Sequence, residues 1–298
     1  MSCLTKLAKK TSRGLSGFAF AALAVAATPA HALLNLQNFN DLSAFTLNGV
    51  TSVINSGGQG VVGPNAGDQR VLRLTNNYGQ SGSAFLTSPF SLASDASFSS
   101  YFEFQFTNQG GGGADGIVFA VQTVSNTAGG GGGGIGYEGL NKSVGVEFDN
   151  WNNGFCDGNN DNHVGINVNG SVCSVARADT LPDLLDSQKI FHAWVDYNGV
   201  TDELEVRLAL TDTRPTNALV SYTVDLVSIL GTTNAYIGFT SGTGAATADH
   251  DIRRWVFDGS YAPVVNPGNP NGTVPEPGSM ALVALGLAGV GLLRRKKA

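Results

Sequence analysis

The chain has 298 residues, 42% hydrophobic and only 13% charged, so it can bury a substantial core. Its formal net charge is −6, but eight of the 17 Lys+Arg lie in the two ends with a single acid, Glu276, which leaves a body of 9 Lys+Arg against 22 Asp+Glu, net −13. Such a surface repels phosphate backbones, which argues against nucleic-acid binding and leaves cations and neutral partners such as sugars.

Residues 1–13 carry Lys6, Lys9, Lys10 and Arg13 and no acid, and an apolar run from Leu15 to Ala27 leads into Pro29-Ala30-His31-Ala32. A basic segment, a hydrophobic stretch too short to span a membrane and an A-x-A site, in that order, read as an export signal over 1–32. The mature chain is expected to start at Leu33.

From Leu33 to Tyr261 the pattern is short apolar or alternating runs punctuated by Gly, Asn, Ser and Asp. Strands are expected over 45–48, 70–75, 84–86, 97–107, 116–122, 144–149, 163–168, 191–197, 204–210, 220–224, 235–240 and 253–258, with a helical turn only at 181–185. Alternation is clearest where Phe102, Phe104 and Phe106 share one face and Glu103 and Gln105 the other. No boundary cuts this stretch, and β-branched and aromatic residues dominate its runs. One all-β domain, 33–261, with two sheets packed face to face is the expected architecture.

Two glycine runs, Gly110–Gly113 and Gly129–Gly134, bracket the strand expected over 116–122. They are loops whose backbone can approach a ligand closely, although unstructured surface loop is an equal alternative for 129–134. No Lys-Ser/Thr follows either run, which argues against a phosphate cradle. His192 and His250 read as structural, since neither has acids at metal-ligand spacing in a matching strand–loop pattern.

The densest chemistry lies in Ser143–Asn169. Glu147, Asp149, Trp151 and Asn153 fall at every second position, which places them on one face of an extended chain. Asp157, Asp161 and His163 follow across a Gly/Asn-rich loop. Carboxylates, an amide and a backbone carbonyl suit a hard cation such as Ca²⁺, and adding an imidazole suits a transition ion such as Mn²⁺ or Zn²⁺. Asp149, Asp157, Asn153 and the carbonyl of Trp151 could serve the first ion; Glu147 and His163, sharing Asp149 and Asp157, could serve a second. Asp161 is the alternative to Asp157. Cys156 and Cys173 are the two of three cysteines that remain after export, and an even pair in an exported protein favours one bridge across this loop, against two separate buried thiols.

Beyond Tyr261, residues 262–273 form a Pro/Gly/Asn linker. Val274-Pro275-Glu276-Pro277-Gly278 then precedes an apolar run of 14 residues, Met280–Leu293, and the basic tail Arg294-Arg295-Lys296-Lys297. This 274–298 segment resembles the PEP-CTERM sorting signal of Gram-negative bacteria. The resemblance implies export, transient anchoring in the inner membrane through the C-terminal segment alone, recognition by an exosortase-type enzyme, and a final place at the cell surface or outside the cell.

The stretch Ser143–Asn153 with Asp161–Ser171 resembles the metal-binding strand and loop of the legume (L-type) lectins. Ala114-Asp115-Gly116-Ile117-Val118-Phe119, Leu72-Arg73-Leu74-Thr75, Gly82-Ser83-Ala84-Phe85, Trp194-Val195-Asp196-Tyr197, Ala235-Tyr236-Ile237-Gly238 and His250-Asp251-Ile252-Arg253 are similar to other segments of that family, in family order. The resemblance implies a concanavalin A-like antiparallel jelly-roll sandwich holding Ca²⁺ and a transition ion, usually Mn²⁺, beneath a shallow site for glycans or polysaccharide. It implies Glu147 and His163 on the transition ion, Asp149 bridging both, with Asp157 the better-fitting second bridge, and Asn153 and the Trp151 carbonyl on Ca²⁺. Asp115, held by a cis Ala114–Asp115 peptide, would accept from sugar hydroxyls. Asn153 would donate its amide, Gly133 or a neighbour a backbone N–H, and Trp151 an apolar platform. The implied activity is binding without catalysis, and assembly into a homo-oligomer stays open.

Two rivals remain. A surface or matrix structural protein would keep fold and metal and bind sugar weakly. A β-glucan hydrolase of the same jelly-roll would need two carboxylates about 5–5.5 Å apart. Its strand motif is similar to Glu-x-Asp-x-x-Glu, and here the last position is Asn152.

Overall fold

In a computed structural model, residues 33–55, 70–123 and 127–265 are described. The export signal and the sorting signal lie outside them. Among the described residues no helix is long and apolar enough to cross a membrane, and the short span expected at 280–293 is not among those residues.

Among the described residues, sixteen strands make two sheets. They are β1 (Leu33–Leu36), β2 (Phe45–Gly49), β3 (Ser52–Asn55), β4 (Arg70–Thr75), β5 (Ser81–Leu86), β6 (Phe90–Ser91), β7 (Phe98–Gly110) and β8 (Gly116–Gln122). After them come β9 (Ser143–Asp149), β10 (His163–Val168), β11 (Ala176–Ala178), β12 (Phe191–Asn198), β13 (Glu203–Ala209), β14 (Val220–Thr223), β15 (Asn234–Gly242) and β16 (Thr247–Asp258). The first sheet runs β14-β13-β12-β7-β16-β4-β3, with β1 also on β16; the second runs β11-β10-β9-β8-β15-β5-β2, with β6 also on β15. Neighbouring strands run antiparallel throughout.

The alternation of β7 sets the core. Phe102, Phe104 and Phe106 are fully buried and reach across to the second sheet. Phe102 stacks on Phe119 of β8 at 5.9 Å between ring centroids and meets Phe239 of β15 edge-on at 4.9 Å, while Phe104 lies 4.9 Å from Phe148 of β9. These contacts between sheets make the molecule a two-sheet sandwich, since a face of Phe on one sheet is removed from water only by a matching face on the other.

Each sheet also carries a smaller apolar cluster on its outer face. On the second sheet, Ile135, Tyr137 and Leu140 from the segment after the long glycine run pack over Phe85, Val118 and Ala120. That segment is ordered: the backbone N–H groups of Gly130 and Gly132 donate to Glu138 and Thr243 at 3.0 Å each. The reading of 129–134 as unstructured loop is therefore corrected. On the first sheet, Tyr101, Trp194 and Val256 pack together with Val264, whose carbonyl accepts from Trp194 Nε1 at 2.8 Å, so the first residues of the expected linker lie against the sheet.

Several elements differ from the sequence expectation. β1, β3, β6 and β11 are short strands whose pattern gave no alternation to read; they pair with longer strands while Leu34, Leu36, Val53, Phe90, Ala176 and Ala178 pack against the core. β16 begins at Thr247 rather than 253, so only residues 243–246 separate it from β15. The helical turn expected at 181–185 is a 3-10 turn that starts four residues later, Leu185–Ser187. An α-helix, α1 (Leu226–Leu230), was not expected; the Asp225 side chain caps it by accepting from the Ser228 N–H at 2.9 Å, and Gly231 closes it in the left-handed conformation.

Candidate functional site

Strand register builds the site at one end of the second sheet. His163 of β10 stands opposite Asp149 of β9, which stands opposite Gly116 of β8, which stands opposite Gly242 of β15. The loops leaving that row converge.

Asp149, Asp157 and His163 each offer a ligand atom within 4.8 Å of the others. All three are buried, Asp161 is exposed, and Asp157 is therefore the loop carboxylate gathered to the strands. Glu147, two residues before Asp149 on the same face, brings Oε1 to 3.4 Å from His163 Nε2. Its carboxylate also accepts from Asn167 Nδ2 and Ser174 Oγ. Neither ring nitrogen of His163 has a hydrogen-bond partner, although the residue is completely buried.

Burial pushes the Asp149 carboxyl well above the ordinary carboxylate range, and the Glu147 charge adds to the shift against the hydrogen bond from the Trp151 N–H. Burial likewise raises Asp157, against the N–H of Asn153. Buried like charges around an unpartnered imidazole are costly unless a cation stands among them. The donor set fits a metal: oxygen ligands for a hard ion, and an imidazole for a transition ion.

The loop that carries Asp157 is tied down. The N–H of Asn153 donates to Asp157 Oδ2, Asn159 N donates to the Gly154 carbonyl at 2.9 Å, and Gly158 N donates to the Phe155 carbonyl at 3.1 Å. Cys156 and Cys173 form a disulfide with their Cα atoms 4.3 Å apart. Arg177 Nη1 donates to the Cys156 carbonyl at 3.2 Å.

Asp115 follows a cis Ala114–Asp115 peptide. Its N–H donates to the Gly242 carbonyl at 3.2 Å and its carbonyl accepts from Asn150 N at 3.3 Å. Burial pushes its carboxyl up to about 6, opposed by a hydrogen bond from the Gly244 backbone and reinforced by Asp157. Oδ2 is left without a partner, so an acceptor remains for a hydroxyl.

Gly133 lies against Asn153, and a Cβ there would come within 2.6 Å of the Asn153 Cγ. A Cβ on Gly244 would stand 3.2 Å from the Gly132 Cα and 3.6 Å from Asp115 Oδ2, so the glycine loop reaches Asp115 as well. The Trp151 ring lies 3.8 Å from the Cβ position of Gly112. Gly133 thus meets Asn153, the Gly244 backbone adjoins both Gly132 and Asp115, and Trp151 lies against Gly112. His192 and His250 lie elsewhere, hydrogen-bonded to the Tyr101 hydroxyl at 2.7 Å and to Thr75 Oγ1 at 2.8 Å.

Several supporting residues escaped the sequence reading. Asn167 shares the β10 face with His163, so period-two alternation could have found it. Ser174 and Asp186 carry no local signal. Asp186 nonetheless accepts from Asn150 Nδ2 at 2.8 Å and, through its carbonyl, from Gln109 Nε2 at 3.0 Å. Asn152, at the position a glucanase acid would take, is exposed and accepts from Gly154 N at 2.7 Å.

Comparison with known proteins agrees with the two-sheet fold. Residues 273–296 match the PEP-CTERM protein-sorting motif, a signal for export and C-terminal sorting. The L-type lectin-domain containing receptor kinase VIII.1 of Arabidopsis thaliana is 30% identical over 213 residues, which are 69% of this chain and 28% of that relative. Kinase IV.1 of the same plant is 31% identical over 246 residues, 74% of this chain and 34% of the relative, so the chain spans a minor part of either. Among solved structures, the lectin from Bauhinia forficata in complex with GalNAc aligns at a TM-score of 0.63 and 26% identity over 77% of this chain and 98% of its own. Peanut lectin with a 9mer peptide aligns at 0.62 and 26% over 76% and 97%. Residues 37–271 match the legume lectin domain, and the chain belongs to that family.

Proposed function

We propose that this protein is an exported, metal-dependent carbohydrate-binding lectin without catalytic activity. The single observation that carries the reading is the buried His163, with neither ring nitrogen hydrogen-bonded, among the buried carboxylates of Glu147, Asp149 and Asp157, at the sheet end where Asp149 pairs with the Gly116 that follows Asp115. Glu147 and His163 would hold a transition ion such as Mn²⁺, Asp149 and Asp157 would be shared, and Asn153 with the Trp151 carbonyl would hold Ca²⁺. Bound there, the ions neutralise the cluster and fix the loop.

The sugar is then recognised by the chain's own groups. Asp115 accepts from hydroxyls, Asn153 and the backbone of Gly133 donate, and Trp151 supplies the apolar face. The exposed Asn152 leaves Glu147 and Asp149 without the paired acid that retaining hydrolysis uses. The sorting motif supports recognition by an exosortase-type enzyme and display at the cell surface or release.

The test is a glycan array on the full chain, with Ca²⁺ and Mn²⁺ and after EDTA. Binding that requires metal and disappears in Asp115→Ala at an unchanged melting temperature is the expected result. Intact binding by Asp115→Ala overturns the site, and metal-supported folding without binding to any glycan favours a structural surface protein.

A further inference from the structure

Phe155 is 92% exposed, by far the most exposed aromatic among the described residues. It stands two residues from Asn153, and two residues of extended chain span at most about 7 Å. Its side chain is free while its backbone is not. The Phe155 carbonyl accepts from Gly158, the next residue is bridged to Cys173, and the carbonyl of Cys156 is held by Arg177. Burial would be the default for a phenyl ring on a flexible turn; here the turn is fastened with the ring outside.

Resting on the lectin reading above, we infer that Phe155 forms a second sugar subsite, so that the ligand is a neutral oligosaccharide or polysaccharide rather than a single sugar. The first sugar sits at Asp115 and Asn153, and the apolar face of the next ring stacks on Phe155. A pyranose presents C–H groups on one face and hydroxyls at its edge, which suits a phenyl ring open to solvent two residues from the Asn153 amide. The charge agrees: the body is net −13, so an anionic polymer would be repelled and a neutral glycan is not. The turn that carries the ring is already fastened, so little backbone freedom is lost on binding.

The experiment compares binding of mono-, di- and tetrasaccharides of each array-positive sugar to the full chain, loaded with Ca²⁺ and Mn²⁺. Wild type should prefer the longer glycans. Phe155→Ala should weaken tetrasaccharide binding by about tenfold and change monosaccharide binding by less than about twofold, while Phe155→Tyr keeps the preference. Melting temperatures should match, since the ring packs against nothing. Equal losses for mono- and tetrasaccharide, no loss for either, or a wild type without length preference would overturn the inference. So would a fall in sedimentation coefficient in Phe155→Ala, which would make the ring a contact between copies. Asp115→Ala separates the two levels: its failure to reduce monosaccharide binding overturns the lectin site itself, and absence of any glycan binding by wild type overturns both.

Discussion

Asn150 links two chain segments that the sequence keeps far apart. Its side chain donates to Asp186 Oδ1 at 2.8 Å, and its backbone N–H donates to the Asp115 carbonyl at 3.3 Å. Asp186 also accepts from Gln109, and its carboxylate lies beside Gly113, where a Cβ would come within 2.6 Å of Oδ2. Asp186, by its carbonyl and its carboxylate, therefore braces β7, the turn before Asp115 and the residue after the Asp149 ligand.

Removing that brace should loosen Asp115 more than it unfolds the protein. Asp186→Ala is expected to cost about 1–3 kcal/mol of stability, because it leaves the Asn150 amide without its acceptor. Sugar affinity should fall as well, with metal affinity largely retained. Asp186→Asn should recover part of the affinity. Calorimetric titration with glycan and with Mn²⁺, alongside thermal melts, checks all three.

The choice between the two loop carboxylates is open to direct measurement. Asp157→Asn should weaken metal binding strongly, since Asp157 converges with Asp149 and His163. Asp161→Asn should leave it unchanged, as that side chain is exposed. Because a ligand that binds only the native state stabilises it, the melting temperature of wild type should rise with added Ca²⁺ and Mn²⁺, and that of Asp157→Asn should respond much less. Equal responses in the two variants would reverse the assignment.

Cys156 and Cys173 close a loop with a sequence separation of 17. In the chain-entropy model a closure of that size contributes about 3 kcal/mol by restricting the unfolded state. Cys156→Ser/Cys173→Ser should lower denaturant stability by an amount of that order. It should also weaken metal binding, because the bridge starts one residue from Asp157. Chemical denaturation with and without reductant gives the comparison.

His250 sets an acid limit on stability. Burial pushes its imidazole from the ordinary 6.5 down to about 3, with Arg73 adding to the shift. Between those values the unfolded chain binds a proton that the folded chain does not, so stability rises with pH through this window and falls as pH drops from 6.5 towards about 3. Each proton taken up only by the unfolded state contributes a slope of about 1.4 kcal/mol per pH unit. In His250→Gln that contribution should disappear from the pH dependence of the unfolding free energy between pH 6 and about 4. An unchanged slope in the variant would remove His250 as the cause.

The two-sheet fold was legible because its determinants are local. Period-two alternation in Phe102, Phe104 and Phe106 places three rings on one face whatever the rest of the chain does. The same periodicity put Glu147 and Asp149 side by side on β9, and the polar loop that follows marked where the strand had to end. α1 could have been read too: Asp225 three residues before Ser228 and Gly231 at the close are ordinary capping signals, overlooked in a sequence dominated by strands.

Tertiary structure decided what lies between segments. Asp157 and Asp161 occupy the same kind of Gly/Asn-rich loop, and only the folding of that loop onto β9 and β10 buries one and leaves the other in water. Ser174 and Asp186 have no pattern of their own, because a hydrogen bond across 27 or 36 residues depends on chain closure and not on neighbours in sequence. The glycine run 129–134 looked featureless for the same reason: its order comes from backbone partners on Glu138 and Thr243. Composition and periodicity by themselves thus determined an acidic β-sandwich with a ligand-rich strand. Long-range packing decided which oxygens meet His163, because the cost of burying charge is settled only where distant segments close around it.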